Sequence, residues 1–464
     1  MTTLFRKAIN IEKESKNRLL SLLQSMVGIA SYFLVMRFVV KFLGLESLGL
    51  WSLTIGVLAF FRLLDLSGSL ALARIVATRM NDSDEQAKCI DTITLFGLLF
   101  FSFFCLVFYF PIYNLLISSI PPELISLGQK LLLIAVISLP INVLSMAQLS
   151  ALDGLGRADI RSSINISCYL LFIFFSFYLI PFYGLVGLAY AQLAQFILSL
   201  VLARIALSRY IQNLRLLPIY WSSYILKDSI GYVAKIQATS APMMMLDPLI
   251  RIIIGRLYGL EYLGLYDLGY KISGYMRALI QSYLSPTLPE ITKLWSKSKN
   301  LAFEATLNLH KKFNYIIFAC FSALILLSPL ISILLLSVIN KEFIFIQSII
   351  ALGWGIATLL LPTNILAKAC NSLYYSITGQ FLISLVSLIS FYILLPLDNT
   401  LTVPLSVSFG IVSGSLFGFF GETSSIRKQL TKSYSNKHIV SLAKTSLLII
   451  VLTCSALVLV NITL

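Results

Sequence analysis

The sequence predicts an all-α polytopic membrane protein built as two six-helix bundles related by a pseudo-twofold axis along the membrane normal, with one extra C-terminal helix. Three observations predict it. Hydrophobic residues fill 58% of the 464 positions and charged residues only 12%, about half the charge of an ordinary soluble chain. Apolar stretches of about 20 residues, enough to cross a bilayer as a helix, recur from end to end. A glycine-leucine motif in the first half returns in the second.

The elements follow in order. A basic, mostly polar arm (1–17) precedes the first span, 18–41, which is not the pattern of a cleavable signal peptide. The second span, 48–70, comes after a short turn. The third, 89–113, contains FGLLFFSFFCLVFYF; a helix apolar on every side reads as lipid-facing. Spans at 124–152, 162–182 and 184–204 complete a first bundle, 18–204. A cytoplasmic linker, 205–230, leads to a second bundle, 231–425, with spans at 231–256, 261–288, 312–337, 344–368, 373–396 and 401–425. A basic loop and a thirteenth span, 439–462, occupy 426–464.

Loop charges orient these spans. Lys and Arg crowd the N-terminal arm and every second connection: Arg74, Arg79 and Lys88, then Arg157 and Arg161, then Arg204, Arg209, Arg215 and Lys227, and so on to the loop after the twelfth span. The opposite connections hold Lys41, Lys130, Arg256 and Lys341. The positive-inside rule therefore sets the N-terminus in the cytoplasm. It also accounts for the net charge of +15 without nucleic acid. External connections are short, the longest being near 114–123, which leaves no room for the acidic catalytic loop of a membrane polymerase or transferase.

The repeat sets KFLGLESLGLWSL (41–53) against RLYGLEYLGLYDL (256–268) at an offset of 215. Identities include Gly44/Gly259, Glu46/Glu261 and Gly49/Gly264, and the offset carries Arg62 onto Arg277. A second element pairs Pro140 and Asn142 with Pro362 and Asn364 at an offset of 222. Six helices separate equivalent positions, so both halves point the same way. This is the parallel-repeat arrangement of transporters. The repeated glycines are expected to form tight outer turns with close helix approach.

Ionisable groups at bilayer depth are costly and mark functional or paired positions. Apart from Lys235, which snorkels at a helix end, they are Arg37, Arg62, Asp65, Asp247, Arg251, Asp267, Lys271 and Arg277. All fall on the first two helices of each half, which are therefore expected to line one wet, net-positive cavity. Arg62 with Asp65, Asp247 with Arg251, and Asp267 with Lys271 share helix faces and can neutralise one another. Such a pair serves equally well as a helix-packing device. Arg37 and Arg277 have no local partner. Asp91, Glu290 and Glu422 sit at span ends and are read as unremarkable. Pro248 is expected to kink its helix. A cationic cavity suits an anion, since arginine holds phosphate oxygens in a bidentate fork.

Other chemistries lack their residues. The cysteines, Cys89, Cys105, Cys168, Cys320, Cys370 and Cys454, are scattered with no CxxC, so neither a disulfide framework nor a zinc site is indicated. No GxxxxGK[ST] phosphate loop occurs, leaving an ion gradient, the membrane potential or the substrate gradient as the driving force. No cofactor is called for; H+ or Na+ is the candidate coupling ion, with Asp65, Asp247 and Asp267 the candidate carriers.

Three stretches, GLESLGLWSL with FRLLDLSGSLALARIVA (44–77), MLDPLIRIIIGRLYGLEYLGLYDLGYKI (245–272) and LSALDGLGRADI (149–160), make the chain resemble the polysaccharide transporter, or O-antigen flippase, family. That family belongs to the superfamily of multidrug exporters and lipid II flippases. The resemblance extends over about 20–425. It implies two six-helix bundles flanking a lumen lined by helices 1, 2, 7 and 8. It implies flipping of an undecaprenyl-pyrophosphate-linked oligosaccharide across a bacterial inner membrane, with no enzymatic step. Arg37, Arg62, Arg251, Lys271 and Arg277 match the family's cationic lumen as a tendency. Membrane lipids, the lipid-linked substrate and polysaccharide polymerase machinery are the expected partners of a monomer. The thirteenth span departs from the commoner twelve. An Na+- or H+-coupled small-molecule exporter of the same superfamily is the alternative; a membrane-bound sugar polymerase is a third reading that the short external loops disfavour.

Overall fold

The computed structural model describes residues 2–63, 69–78, 82–284, 287–370, 372, 374–397 and 400–429. Among these residues every regular element is a helix. The fold is that of an all-α polytopic membrane protein. Nine helical stretches are long and apolar enough to cross a membrane, the first of them, Leu19–Phe60, long enough to do so twice. The thirteenth span, 439–462, lies outside the described residues.

The first two spans form one assigned helix, α1 (Thr2–Leu63), interrupted at Gly44, whose φ of 82° is non-helical. Its continuation, α2 (Ser69–Thr78), completes the second span. Helices α3 (Ser83–Ile117), α4 (Ile125–Gly154), α5 (Ala158–Tyr183) and α6 (Leu185–Tyr210) match spans three to six. Then come α7 (Ser223–Leu257) and α8 (Gly259–Leu284). Of these, α8 falls outside the nine apolar stretches, because Glu261, Asp267, Lys271 and Arg277 dilute its apolar character.

The break between α7 and α8 is at Gly259, φ 85°. This is the residue 215 positions beyond Gly44, so the repeat is present in the backbone. Each motif starts its second helix from a glycine of positive φ, a conformation that costs other residues roughly 1–3 kcal/mol. The expectation of tight turns holds. So does that of close approach: a Cβ on Gly49 would lie 1.8 Å from the carbonyl oxygen of Leu260, so only a hydrogen fits there.

A short helix follows that the sequence reading took as loop, α9 (Thr287–Lys297). The ninth span is α10 (Lys299–Leu326) continued by α11 (Ser328–Leu336), and the tenth is α12 (Lys341–Leu359) continued by α13 (Leu361–Ala369). Pro362 lies in the first turn of α13, where its missing N–H costs nothing. Its counterpart Pro140 lies inside the unbroken α4. The last two described spans are α14 (Tyr374–Leu394) and α15 (Thr402–Arg427). They close on small residues: a Cβ on Gly414 would meet the backbone oxygen of Gly379 at 2.4 Å. Small residues at four-residue spacing, here Gly410, Gly414 and Gly418, let helices pack tightly in lipid, where no hydrophobic effect drives them together.

Two compact units emerge, Met1–Glu261 and Tyr262–Leu464. In the first, α4 packs on α2, α3 and α6, while α5 packs on α1 and α6. A core of Leu72, Ile90, Ala151, Leu152, Ala203 and Leu207 fills one end. The unit also takes in α7, which the sequence groups with the second bundle; α7 packs along α1, with Arg251 against Gly56 and Gly255 beside Leu53. In the second unit, α15 packs on α12 and α14, and α9 on α10 and α13.

The LSALDGLGRADI stretch is a locked turn between α4 and α5. Arg157 donates two hydrogen bonds of 3.1 Å to Asp159, and Arg161 pairs with Asp153 at 3.1 Å. Gly156 supplies a φ of 68°.

Candidate functional site

The intramembrane charges fall into separate groups. In the first unit Arg37 is exposed on α1, while its neighbours Val35, Met36 and Val39 are fully buried. The packed face of the helix therefore leaves Arg37 uncovered by the unit, and among the described residues it has no carboxylate partner. Arg62 lies in the last turn of α1, its side chain outside the described residues; Asp65 lies outside them altogether.

On α7, Asp247 and Arg251 meet at 3.3 Å, as their four-residue spacing requires. Arg251 is 4% exposed, and the aliphatic part of its side chain lies against Gly56 of α1, where a Cβ would come within 2.6 Å of Cδ. A glycine thus makes the slot for an arginine. The Asp247 side chain keeps about a third of its surface open (35%).

In the second unit Asp267 and Lys271 pair at 2.9 Å on α8. Asp267 is buried and Lys271 half-buried. One turn and a half further on, the Arg277 guanidinium lies 4.4 Å above the ring of Trp354 on α12. Tyr270 meets Trp354 edge-to-face at 6.0 Å, and Tyr266 stacks on Tyr270 at 5.8 Å. The Arg277 Nε and the Trp354 indole nitrogen are both buried without a hydrogen-bond partner among the described residues. A cation–π contact satisfies the face of the guanidinium and leaves its edge, which carries the donors, to other partners.

The structure thus brings together two of the three predicted pairs and separates Arg37 and Arg277 from any carboxylate among the described residues. The paired groups neutralise each other, so the positive character rests on Arg37 and Arg277. Assembly of both sets around one cavity is an expectation of the sequence, carried forward below as part of the functional reading.

Two polar sites escaped the sequence reading. Asp91, read as unremarkable, is 1% exposed and receives Arg204 at 2.6 Å. It also accepts from the backbone N–H groups of Ile219 at 3.0 Å and Tyr220 at 3.4 Å. Arg204, counted with the loop cations, is buried on α6 and donates to the carbonyl of Arg215 at 2.8 Å. The signal was available: two opposite charges at matching depth in the third and sixth spans. Glu422 is likewise buried on α15, accepting from Asn364 at 3.1 Å and from the Ser376 hydroxyl. Asn364 belongs to the second repeat element, so the sequence had marked one of its partners. No cluster of three or more metal-ligating side chains occurs among the described residues.

Comparison with known proteins bears on the fold. Residues 22–178 match the MatE family model. A curated protein described as a putative O-antigen transporter from Shigella flexneri is 29% identical over 170 residues. The match takes in 35% of this chain, and the chain spans only 40% of that protein. Among solved structures, an inward-facing multidrug resistance MATE family transporter of the MOP superfamily superposes with a TM-score of 0.76 at 16% identity, over 88% of this chain and 99% of that one. The lipid II flippase MurJ in an inward closed conformation gives 0.70 at 15% identity, over 96% and 99%. A MOP superfamily transporter from Pyrococcus furiosus, described as having a binding pocket of reverse polarity, gives 0.64 at 18%, over 89% and 96%. At these identities the solved structures establish the fold.

Proposed function

We propose that this chain, which folds as a MATE-type transporter of the MOP superfamily and matches the MatE family model in its first unit, flips an undecaprenyl-pyrophosphate-linked oligosaccharide across a bacterial inner membrane. The observation that carries the reading is Arg277 on Trp354. An aromatic ring holds a half-buried guanidinium in place without neutralising it, so its donors stay available to a phosphate. Arg37, equally without a carboxylate partner among the described residues, adds a second cation and Arg62 a third, while Arg251 and Lys271 contribute as members of ion pairs with Asp247 and Asp267. In this reading the substrate's pyrophosphate is drawn to these residues from the cytoplasmic side. Its polyprenyl tail stays in lipid, and alternating access delivers the glycan outward. The N-terminus is cytoplasmic, and neither a cofactor nor nucleic acid takes part. The resemblance in the sequence and the Shigella flexneri relative support the oligosaccharide substrate.

Complementation tests the reading. In a strain lacking its own flippase, this chain should restore surface polysaccharide. Arg277→Ala and Arg37→Ala should lower it at least tenfold at unchanged membrane abundance, and Arg277→Lys should restore part, since charge is kept and the fork is lost. Full polysaccharide from both alanine variants would remove the proposed role. The partly open carboxylate of Asp247 favours a second reading, an Na+- or H+-coupled exporter of small cations. A drug-susceptibility panel with and without the gene separates the two.

A further inference from the structure

Residues 211–222, joining α6 to α7, are non-helical yet firmly held. The buried Asp91–Arg204 pair fastens the carbonyl of Arg215 and the N–H groups of Ile219 and Tyr220. The N–H of Ser222 donates to Thr92 at 3.1 Å, and Asn213 to Asp84 at 2.7 Å. Ile211 and Leu214 are buried in the apolar core of the unit. Such a segment cannot fold its other side chains inward. What it presents outward is apolar and aromatic: Leu216 is 65% exposed, Leu217 75%, Ile219 54%, Trp221 50% and Tyr224 77%.

The exposed charges on the segment itself have one sign. From Leu214 through Lys227 there is no carboxylate, while Arg209, Arg215 and Lys227 are exposed. Of the neighbouring acids, Asp91 is buried beneath the segment and taken up by Arg204, Asp84 accepts from Asn213, and Asp228 follows the stretch. Trp and Tyr beside Leu, edged by Lys and Arg, are what a bilayer interface retains: amphipathic rings at headgroup depth, aliphatic side chains below, cations on acidic headgroups. The segment lies at the ends of two membrane helices, on the side to which the loop charges assign the cytoplasm. We infer that residues 214–224 form a rigid anchor in the interface of that leaflet, with Arg209, Arg215 and Lys227 binding acidic phospholipid. This stands whatever substrate the transporter carries.

Trp221 reports on it directly. The full-length chain is reconstituted in bilayers mixing phosphatidylglycerol and phosphatidylcholine, one of which carries bromines on acyl carbons near the headgroup. The Trp221 signal is the difference between wild type and Trp221→Phe. More than half of it should be lost when phosphatidylglycerol is brominated, and less when phosphatidylcholine is. Arg215→Gln with Lys227→Gln, or high KCl, should erase that difference. Leu217→Trp in the Trp221→Phe chain reads the same face a second time, should the first difference be clouded by refolding. A Trp221 signal quenched by aqueous iodide and untouched by either brominated lipid would overturn the anchor. Equal quenching by both lipids would overturn the role of the cations.

Discussion

At the scale of single residues, burial decides what a charge does. Asp91 and Arg204 are both almost fully buried and meet at 2.6 Å. Taking ions out of water costs several kcal/mol apiece, which the pair and its backbone hydrogen bonds offset together. Removing one partner leaves the other stranded. Asp91→Ala or Arg204→Leu is therefore expected to cost about 3–5 kcal/mol, read as a fall in the midpoint of thermal unfolding in detergent. The double replacement Asp91→Leu with Arg204→Leu should cost less than the sum of the single changes. Equal additive losses would mean that the two side chains act independently. Glu422 follows the same logic with neutral partners: Glu422→Ala withdraws an acceptor from Asn364 and Ser376, and about 1–3 kcal/mol should be lost. Spacing alone told that Asp247 could reach Arg251 and Asp267 could reach Lys271, since a helix fixes those distances. It could not tell that Asp91 and Arg204, 113 positions apart, would meet, because nothing local brings them together.

At the scale of elements, the repeated glycines carry the argument. Gly44 and Gly259 share a positive φ, and a Cβ at either would meet nothing within 4 Å, so a substitution costs backbone strain alone. Gly44→Ala should cost about 1–3 kcal/mol, and asparagine should give no relief, because the φ of 82° with ψ of 172° at Gly44 is a region only glycine enters readily; Gly259→Ala should also destabilise, by about 1–2 kcal/mol. Gly49 and Gly414 differ in kind: both have helical backbones, and a side chain there would strike a neighbouring carbonyl. Gly414→Leu should force α14 from α15 and cost more than Gly44→Ala, measured side by side in the same detergent. The sequence placed most spans within a few residues of their helices. It missed α9, an amphipathic helix whose Trp295 and three lysines, Lys293, Lys297 and Lys299 just beyond it, read as loop when only long apolar runs were sought.

At the scale of the molecule, the chain is a multi-pass membrane protein with the MATE-type fold. Its sidedness is open to a direct check. With native cysteines replaced, Glu123→Cys should react with a membrane-impermeant thiol reagent on intact cells. Ser296→Cys should react only after permeabilisation. The reverse pattern would invert the topology and, with it, the side from which substrate enters.

What the sequence determined by itself is whatever depends on solvent and on local geometry. Apolar length demands helices in a bilayer, and a repeated glycine motif imposes the same backbone break twice. Same-face charges at helical spacing pair without help from the rest of the fold. Only the tertiary structure decided which charges are structural and which are left to act. It buried Asp91 and Arg204 as a clamp, set Arg251 into the gap at Gly56 and laid Arg277 on Trp354. It also joined α7 to the first unit. Each of these rests on a contact between residues far apart in the chain, and the free energy of such a contact is settled by packing and desolvation after the helices have formed.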